Sequence, residues 1–207
     1  MSGPRRSGGS WRQRQERDPY VRKARQEGWR SRAVFKLEEI ANKEPLLFPG
    51  MTCVDLGAAP GGWSQYVGRR LKGKVRIVAI DILPMDSLPC VEFVQADFSQ
   101  DSGLELLLAT LGGAPVDLVM SDLAPNISGT KAIDQPRSMY LAELALDTAE
   151  KILRRGGNFV CKLFQGEGSD EFVARARQSF EKVRLMKPKA SRAGSSEVYV
   201  VARNYRL

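Results

Sequence analysis

An α/β fold on a doubly wound, mostly parallel sheet is what this 207-residue sequence predicts, from three observations. Residues 51–56, Met-Thr-Cys-Val-Asp-Leu, are a short apolar run holding one acid, Asp55, and reading as a strand buried on both faces. A turn with Gly57, Gly61 and Gly62 follows, and then residues 63–71, with helical spacing in Tyr66, Val67, Arg70 and Leu71. Apolar runs recur at 75–82, 91–98, 116–120 and 158–163 with helix-like stretches between most of them, the alternation of parallel strands and crossover helices.

In chain order, residues 1–17 are mostly Gly, Ser, Arg and Gln with Trp11 the only aromatic, a composition expected to stay disordered without a partner. Residues 1–36 hold eleven Lys/Arg against three acids, so the whole formal charge of +8 sits at this end. A basic arm on a balanced domain suits a polyanion, and Trp11, Tyr20 and Trp29 among the arginines suit unpaired bases of RNA. The expected division is a partly disordered RNA-binding arm at 1–30 and the α/β domain at 31–207.

Residues 31–42 read as a helix capped by Ser31, with Val34, Leu37, Ile40 and Ala41 as its apolar stripe. Lys36 lies off that stripe, and periodicity alone makes it a solvated lysine. The second strand, 75–82, ends near Asp81, 24 residues after Gly57, where a carboxylate can accept from both ribose hydroxyls of a nucleoside. The third strand, 91–98, carries Asp97 at its end, and residues 103–111 are a short helix closed by Gly112-Gly113.

The fourth strand, 116–120, runs into Ser121-Asp122-Leu123-Ala124-Pro125-Asn126, and 127–135 is a polar loop read as an RNA-facing flap. Residues 136–155 are the longest helix, with Pro136 in its first turn, Lys151, Arg154 and Arg155 in its last, and Gly156-Gly157 as its stop. Lys162 interrupts the apolar fifth strand, 158–163; a lysine there is costly unless paired or neutral, which favours a functional role. A helix at 169–180 and two alternating strands, 183–186 and 198–202, close the chain, with a basic, Ser-rich link between the strands and Glu197 opening the last.

The glycine spacing narrows the ligand. A dinucleotide turn prefers Gly-x-Gly-x-x-Gly, and a phosphate loop needs a following lysine. Here the turn is Gly57-x-x-x-Gly61-Gly62 without that lysine, which suits a ligand lacking phosphates, such as S-adenosylmethionine. Asp81 by itself does not separate that ligand from NAD, so a nicotinamide-dependent oxidoreductase is the rival class. The Asn- or Asp-Pro-Pro-aromatic signature of enzymes that methylate base amines is missing around Asp122.

No run of about 18 apolar residues is present, so no membrane-spanning helix is expected. The N-terminus carries no apolar stretch of signal-peptide type. Three cysteines without a Cys-x-x-Cys pair suggest neither zinc nor a disulfide framework and fit a reducing cytoplasm. The chain has no histidine, so any general base must be a lysine, carboxylate, tyrosine or cysteine.

Asp-Leu-Gly-Ala-Ala-Pro-Gly-Gly-Trp-Ser at 55–64, Ser-Asp-Leu-Ala-Pro-Asn at 121–126 and Lys-Leu-Phe-Gln-Gly at 162–166 together resemble the FtsJ/RrmJ (RlmE) family over about residues 31–199. The resemblance implies a Rossmann-like methyltransferase fold of seven strands with an antiparallel last strand. It implies S-adenosylmethionine as methyl donor and the 2′-hydroxyl of a uridine ribose in 23S rRNA of the large ribosomal subunit as acceptor. Lys36, Asp122, Lys162 and Glu197 match the family's catalytic tetrad, with Lys162 as general base. Gly61, Trp63, Asp81, Asp97 and Asp122 are carried over as cofactor contacts. No metal and no obligate protein partner are implied, and a monomer is expected. Alternatives are a tRNA ribose 2′-O-methyltransferase and a ribosome-assembly factor retaining the fold.

Overall fold

The computed structural model describes residues 18–125 and 128–207, so the first 17 residues of the expected arm, and Asn126, lie outside the described residues. Seven strands form one sheet: β1 (Met51–Leu56), β2 (Val75–Asp81), β3 (Val91–Gln95), β4 (Val116–Ser121), β5 (Leu153–Phe164), β6 (Phe180–Met186) and β7 (Glu197–Tyr205). Their order is β3-β2-β1-β4-β5-β7-β6. β1 to β5 are parallel, whereas β7 lies antiparallel between β5 and β6. The chain winds outward from β1 to β3 and then returns to β1's other edge as β4. This reversal opens a crevice beyond the carboxyl ends of β1 and β4, where open α/β sheets hold ligands.

Helices cover both faces. α1 (Pro19–Gln26), α2 (Val34–Lys43) and α3 (Gly62–Arg70) pack on one side, while α4 (Asp101–Leu111), α5 (Lys131–Ile152) and α6 (Ser169–Ser179) pack on the other. Alternation along β5 shares its side chains between the layers. Val160 enters the α1–α3 layer, while Phe159, Cys161 and Leu163 enter the α4–α6 layer. Lys162, two residues after Val160, therefore lies on the α1–α3 side.

Several boundaries differ from expectation for physical reasons. Asp18 accepts from the Tyr20 amide at 3.0 Å and Pro19 opens α1, so residues 18–30 are packed chain: Ala24 is buried, and Tyr20 and Trp29 lie against the same layer. Trp29 is tilted on Tyr66 and covered by the Arg69 guanidinium. Ser31 does not cap α2. Its hydroxyl accepts from the Ala33 amide, and tight turns at 31–33 feed the helix one turn later.

β3 ends at Gln95, so Asp97 sits in the following turn, where its carboxylate accepts from the Ser99 amide at 2.9 Å. The flap expected at 127–135 is partly helix, because α5 starts at Lys131. Asp134 satisfies the Ser128 and Gly129 amides at 2.8 and 3.0 Å, and Pro136, inside the helix, removes a single backbone bond. At its other end α5 stops at Ile152. Leu153 pairs with Val116, and Arg154 reaches Asp117 at 2.6 Å, so Arg154 and Arg155 belong to β5 rather than to a helix terminus.

Candidate active site

The crevice is shaped first by glycine. Gly57 has φ +73°, and a Cβ there would stand 2.0 Å from Leu123. Gly61 has φ +99°, with Met85, Leu88 and Arg30 within about 3 Å of the place a Cβ would take. Both conformations are open to glycine and strained for other residues. Arg30 steadies this turn from outside, donating to the carbonyls of Pro60 at 3.2 Å, Asp86 at 2.7 Å and Ser87 at 2.8 Å.

At the tip of β2, Asp81 is buried and accepts from the Ala59 amide at 2.9 Å and the Leu83 amide at 2.8 Å. Each oxygen keeps a further lone pair, so the carboxylate can still accept from a diol. Asp97 is exposed beyond β3, the next strand along the same edge. Glycine turn, Asp81 and Asp97 thus fit a nucleoside lying across the carboxyl ends of β1, β2 and β3. Trp63 differs from them: its indole N–H donates to the Ala33 carbonyl at 2.8 Å and its ring packs on Tyr199. Its side chain is committed to joining α2, α3 and β7.

Asp55, on β1 below the turn, accepts from the Ser64 hydroxyl at 2.6 Å. Burial pushes its pKa up to about 7 despite that bond, and the charges of Asp122 and Asp81 add to the rise.

On the other side of the crevice four charged residues from four elements meet. Lys36 and Lys162 are each 8% exposed and Glu197 9%, although all three are ionisable. Lys36 Nζ lies 2.7 Å from Glu197 Oε1. Lys162 Nζ lies 3.0 Å from Asp122 Oδ1, donates to the Asp122 carbonyl at 2.8 Å, and stands 3.9 Å from Glu197 Oε2. The arrangement is charge-balanced, which offsets the cost of burying each ion.

The register explains the meeting. Lys162 faces Tyr199, and Phe164 faces Glu197, across the antiparallel β5–β7 pair. Asp122 follows β4 directly, and Lys36 comes down from α2. Burial opposes ionisation of Glu197, but the charges of Lys36 and Lys162 and the hydrogen bonds from Lys36 and Ser191 outweigh it. Its pKa is held below the usual carboxylate value.

Two groups here carry no strong sequence signal. The Tyr199 hydroxyl donates to Asp122 Oδ1 and is 3.5 Å from Glu197 Oε1. Burial raises its pKa well above the ordinary phenol value, and Asp122 and Glu197 raise it further, so it stays a donor. The only hint is its place two residues after Glu197, on the same face of a strand. Gln135, from the first turns of α5, donates to the Phe164 and Glu167 carbonyls at 3.1 Å each and ties down the turn after β5. Above the four charges lies a cleft of about 270 Å³ lined by Lys36, Lys162, Glu197, Phe164, Arg32 and Arg192 among others.

A sheet of this order with an antiparallel β7, a glycine turn at the switch point and an acid at the end of β2 defines the class of doubly wound methyltransferases. The model of the FtsJ-like methyltransferase family matches residues 29–205, and the chain belongs to that family. It is 56% identical over 197 residues to "Ribosomal RNA large subunit methyltransferase E" of Legionella pneumophila (strain Corby), covering 95% of this chain and 96% of the relative. It is 53% identical over 196 residues to the protein of the same name in Pseudomonas fluorescens (strain Pf0-1), covering 95% and 94%. Among solved structures, a chain described as a ribosomal RNA methyltransferase from Plasmodium falciparum superposes with a TM-score of 0.77 at 30% identity, covering 86% of this chain and 98% of that one.

Proposed function

We propose that this protein methylates the 2′-hydroxyl of a uridine ribose in 23S rRNA of the large ribosomal subunit, with S-adenosylmethionine as donor. The observation that carries the reading is the buried Lys36–Glu197 and Lys162–Asp122 pairing beside a crevice suited to a nucleoside. The names of the full-length relatives support the RNA substrate.

In this reading the glycine turn lets the donor lie against backbone, Asp81 holds its ribose hydroxyls, Asp97 its adenine amine, and Asp122 borders its reactive end. When bound, S-adenosylmethionine supplies a methyl group already activated by its sulfonium, so the protein's task is alignment and proton removal. In its deprotonated form Lys162 Nζ takes the proton of the ribose hydroxyl as that oxygen accepts the methyl group, and the Asp122 carboxylate stabilises the ammonium that results. Lys36 and Glu197 hold the hydroxyl in line. The arm at 1–30, with Arg32 and Arg192 at the cleft, supplies positive charge for the RNA backbone, and the three free thiols fit a cytoplasmic setting.

Mass mapping of ribose methylation on rRNA from cells with and without this protein tests the reading. One 2′-O-methyl uridine of 23S rRNA should disappear in its absence. An unchanged rRNA pattern, or a methyl group lost from tRNA instead, would overturn the assigned substrate.

The cofactor half has its own test. Asp81→Ala leaves ribose hydroxyls without their charged acceptor, a loss of about 1.5–3 kcal/mol. Calorimetry should show S-adenosylmethionine binding weakened about tenfold or more. Unchanged affinity would remove Asp81 from the cofactor site.

A further inference from the structure

Glu197 is gripped by a residue outside the four charged ones. Ser191 lies in the link between β6 and β7 and is buried, at 6% exposure. Its hydroxyl donates to Glu197 Oε1 at 2.7 Å, the same oxygen that Lys36 Nζ approaches.

The link is held in place on both sides of Ser191. The Lys189 amide donates to Glu39 Oε2 at 2.7 Å, and the Arg32 guanidinium donates to the Ala190 carbonyl while pairing with Asp18. The Ser191 amide donates to the Pro188 carbonyl at 2.9 Å. Further on, Lys187 Nζ donates to the Ser195 carbonyl at 2.6 Å, and the Ser195 hydroxyl accepts from the Glu197 amide at 3.1 Å. Arg32, Lys36 and Glu39 follow each other at helical spacing along α2 and the turn before it. α2 and the turn that leads into it therefore supply Lys36 and also fix the segment that carries Ser191.

The terminal torsion of a glutamate is soft, so a single partner does not define its carboxylate plane. Two donors reaching Oε1 from different elements do. Oε2 is then left 3.9 Å from Lys162, outside hydrogen-bond range but inside the reach of its charge, while Lys162 stays on Asp122. We propose that Ser191 is a positioning residue, whose hydroxyl locks the Glu197 carboxylate so that Lys36 holds one oxygen and Lys162 remains with Asp122. The proposal rests on the methyl-transfer reading above. Without the serine hydroxyl the carboxylate can turn and draw Lys162 away from the position in which it meets the substrate hydroxyl.

The test uses the full chain with Ser191→Ala and Ser191→Thr. It combines methyl-transfer kinetics with a carbon-13 NMR titration of the Glu197 carboxyl. Ser191→Ala should lower kcat about tenfold, the scale of one lost hydrogen bond to a charged group. KM should stay within about twofold, because Ser191 is buried and does not line the cleft. The Glu197 titration should move to higher pH, since a donor to its ionised form is gone while Lys36 on α2, Lys162 on β5, Tyr199 on β7 and Asp122 after β4 remain. Ser191→Thr, which keeps the hydroxyl, should restore both readouts.

Wild-type kcat and an unmoved titration in Ser191→Ala would overturn the proposal. So would equal losses in both variants accompanied by a fall in unfolding temperature, which would mark a packing role. Should the wild-type protein transfer no methyl group to rRNA, the reaction assigned above fails, and the titration alone decides whether Ser191 sets Glu197.

Discussion

Lys162→Arg should leave a folded protein that binds S-adenosylmethionine and RNA but transfers methyl groups about 10²-fold or more slowly. The substitution keeps the charge of the protonated lysine and nearly its length. It removes a group able to give up its proton, because a guanidinium stays protonated in a protein, and its planar donors do not reproduce the ammonium's geometry. In the wild-type site Nζ meets Asp122 Oδ1 at 3.0 Å and the Asp122 carbonyl at 2.8 Å, two acceptors fitted to a compact head. Single-turnover assays at neutral and alkaline pH separate chemistry from product release. Near-normal turnover would pass the base's role to Asp122 or solvent and leave Lys162 as an electrostatic anchor.

Phe159→Ala should destabilise the fold without touching the charged cluster. Phe159 is fully buried in the α4–α6 layer and stacks on Phe180, centroids 6.2 Å apart, while Lys162 points to the opposite face of the same strand. A large aromatic truncated in a packed core costs about 3–5 kcal/mol. In a domain of this size that lowers the unfolding temperature by about 10 °C. Calorimetry should show this fall, with methyl transfer preserved at low temperature. A shift of only about 2 °C would mean that the layer collapses around the gap.

Much of the glycine-turn side of the crevice could be read directly from the sequence, because β1, the glycine turn and α3 are consecutive and each announces itself locally. Asp81 follows from the same logic, since strand ends are marked by where apolar runs stop. Of the four charged residues, Lys162 stood out as a lysine interrupting an apolar strand and Asp122 as an acid just past a strand's end, whereas Lys36 and Glu197 were marked only by the resemblance. Lys36 looked solvated because an apolar stripe describes the neighbours a helix has in a simple core. Its real partner is a carboxylate on β7, 161 residues later. Residues 153–157 looked like a helix end because Arg-Arg-Gly-Gly is a local stop signal, but pairing of Leu153 with Val116 and of Arg154 with Asp117 draws them into the sheet. The start of α1 at Asp18-Pro19 was obscured by the density of arginines around it. For Lys36 and for residues 153–157 a long-range contact outweighed a local preference.

The antiparallel setting of β7 also imposes an order on assembly. β6 pairs with the sheet only through β7, and β7 is the strand that pairs with β5 on that edge. A chain emerging from its own ribosome as far as Met186 already contains Lys36, Asp122 and Lys162, yet β5 presents a bare edge and β6 has no strand to pair with. Glu197 arrives only with the strand that closes this gap, and it arrives first, at that strand's leading residue. The four-residue charged cluster and the last seam of the sheet are thus completed together. A half-made copy holds three of the four charged groups, and under the proposed methyl transfer the onset of activity in a growing chain would report that its sheet is closed.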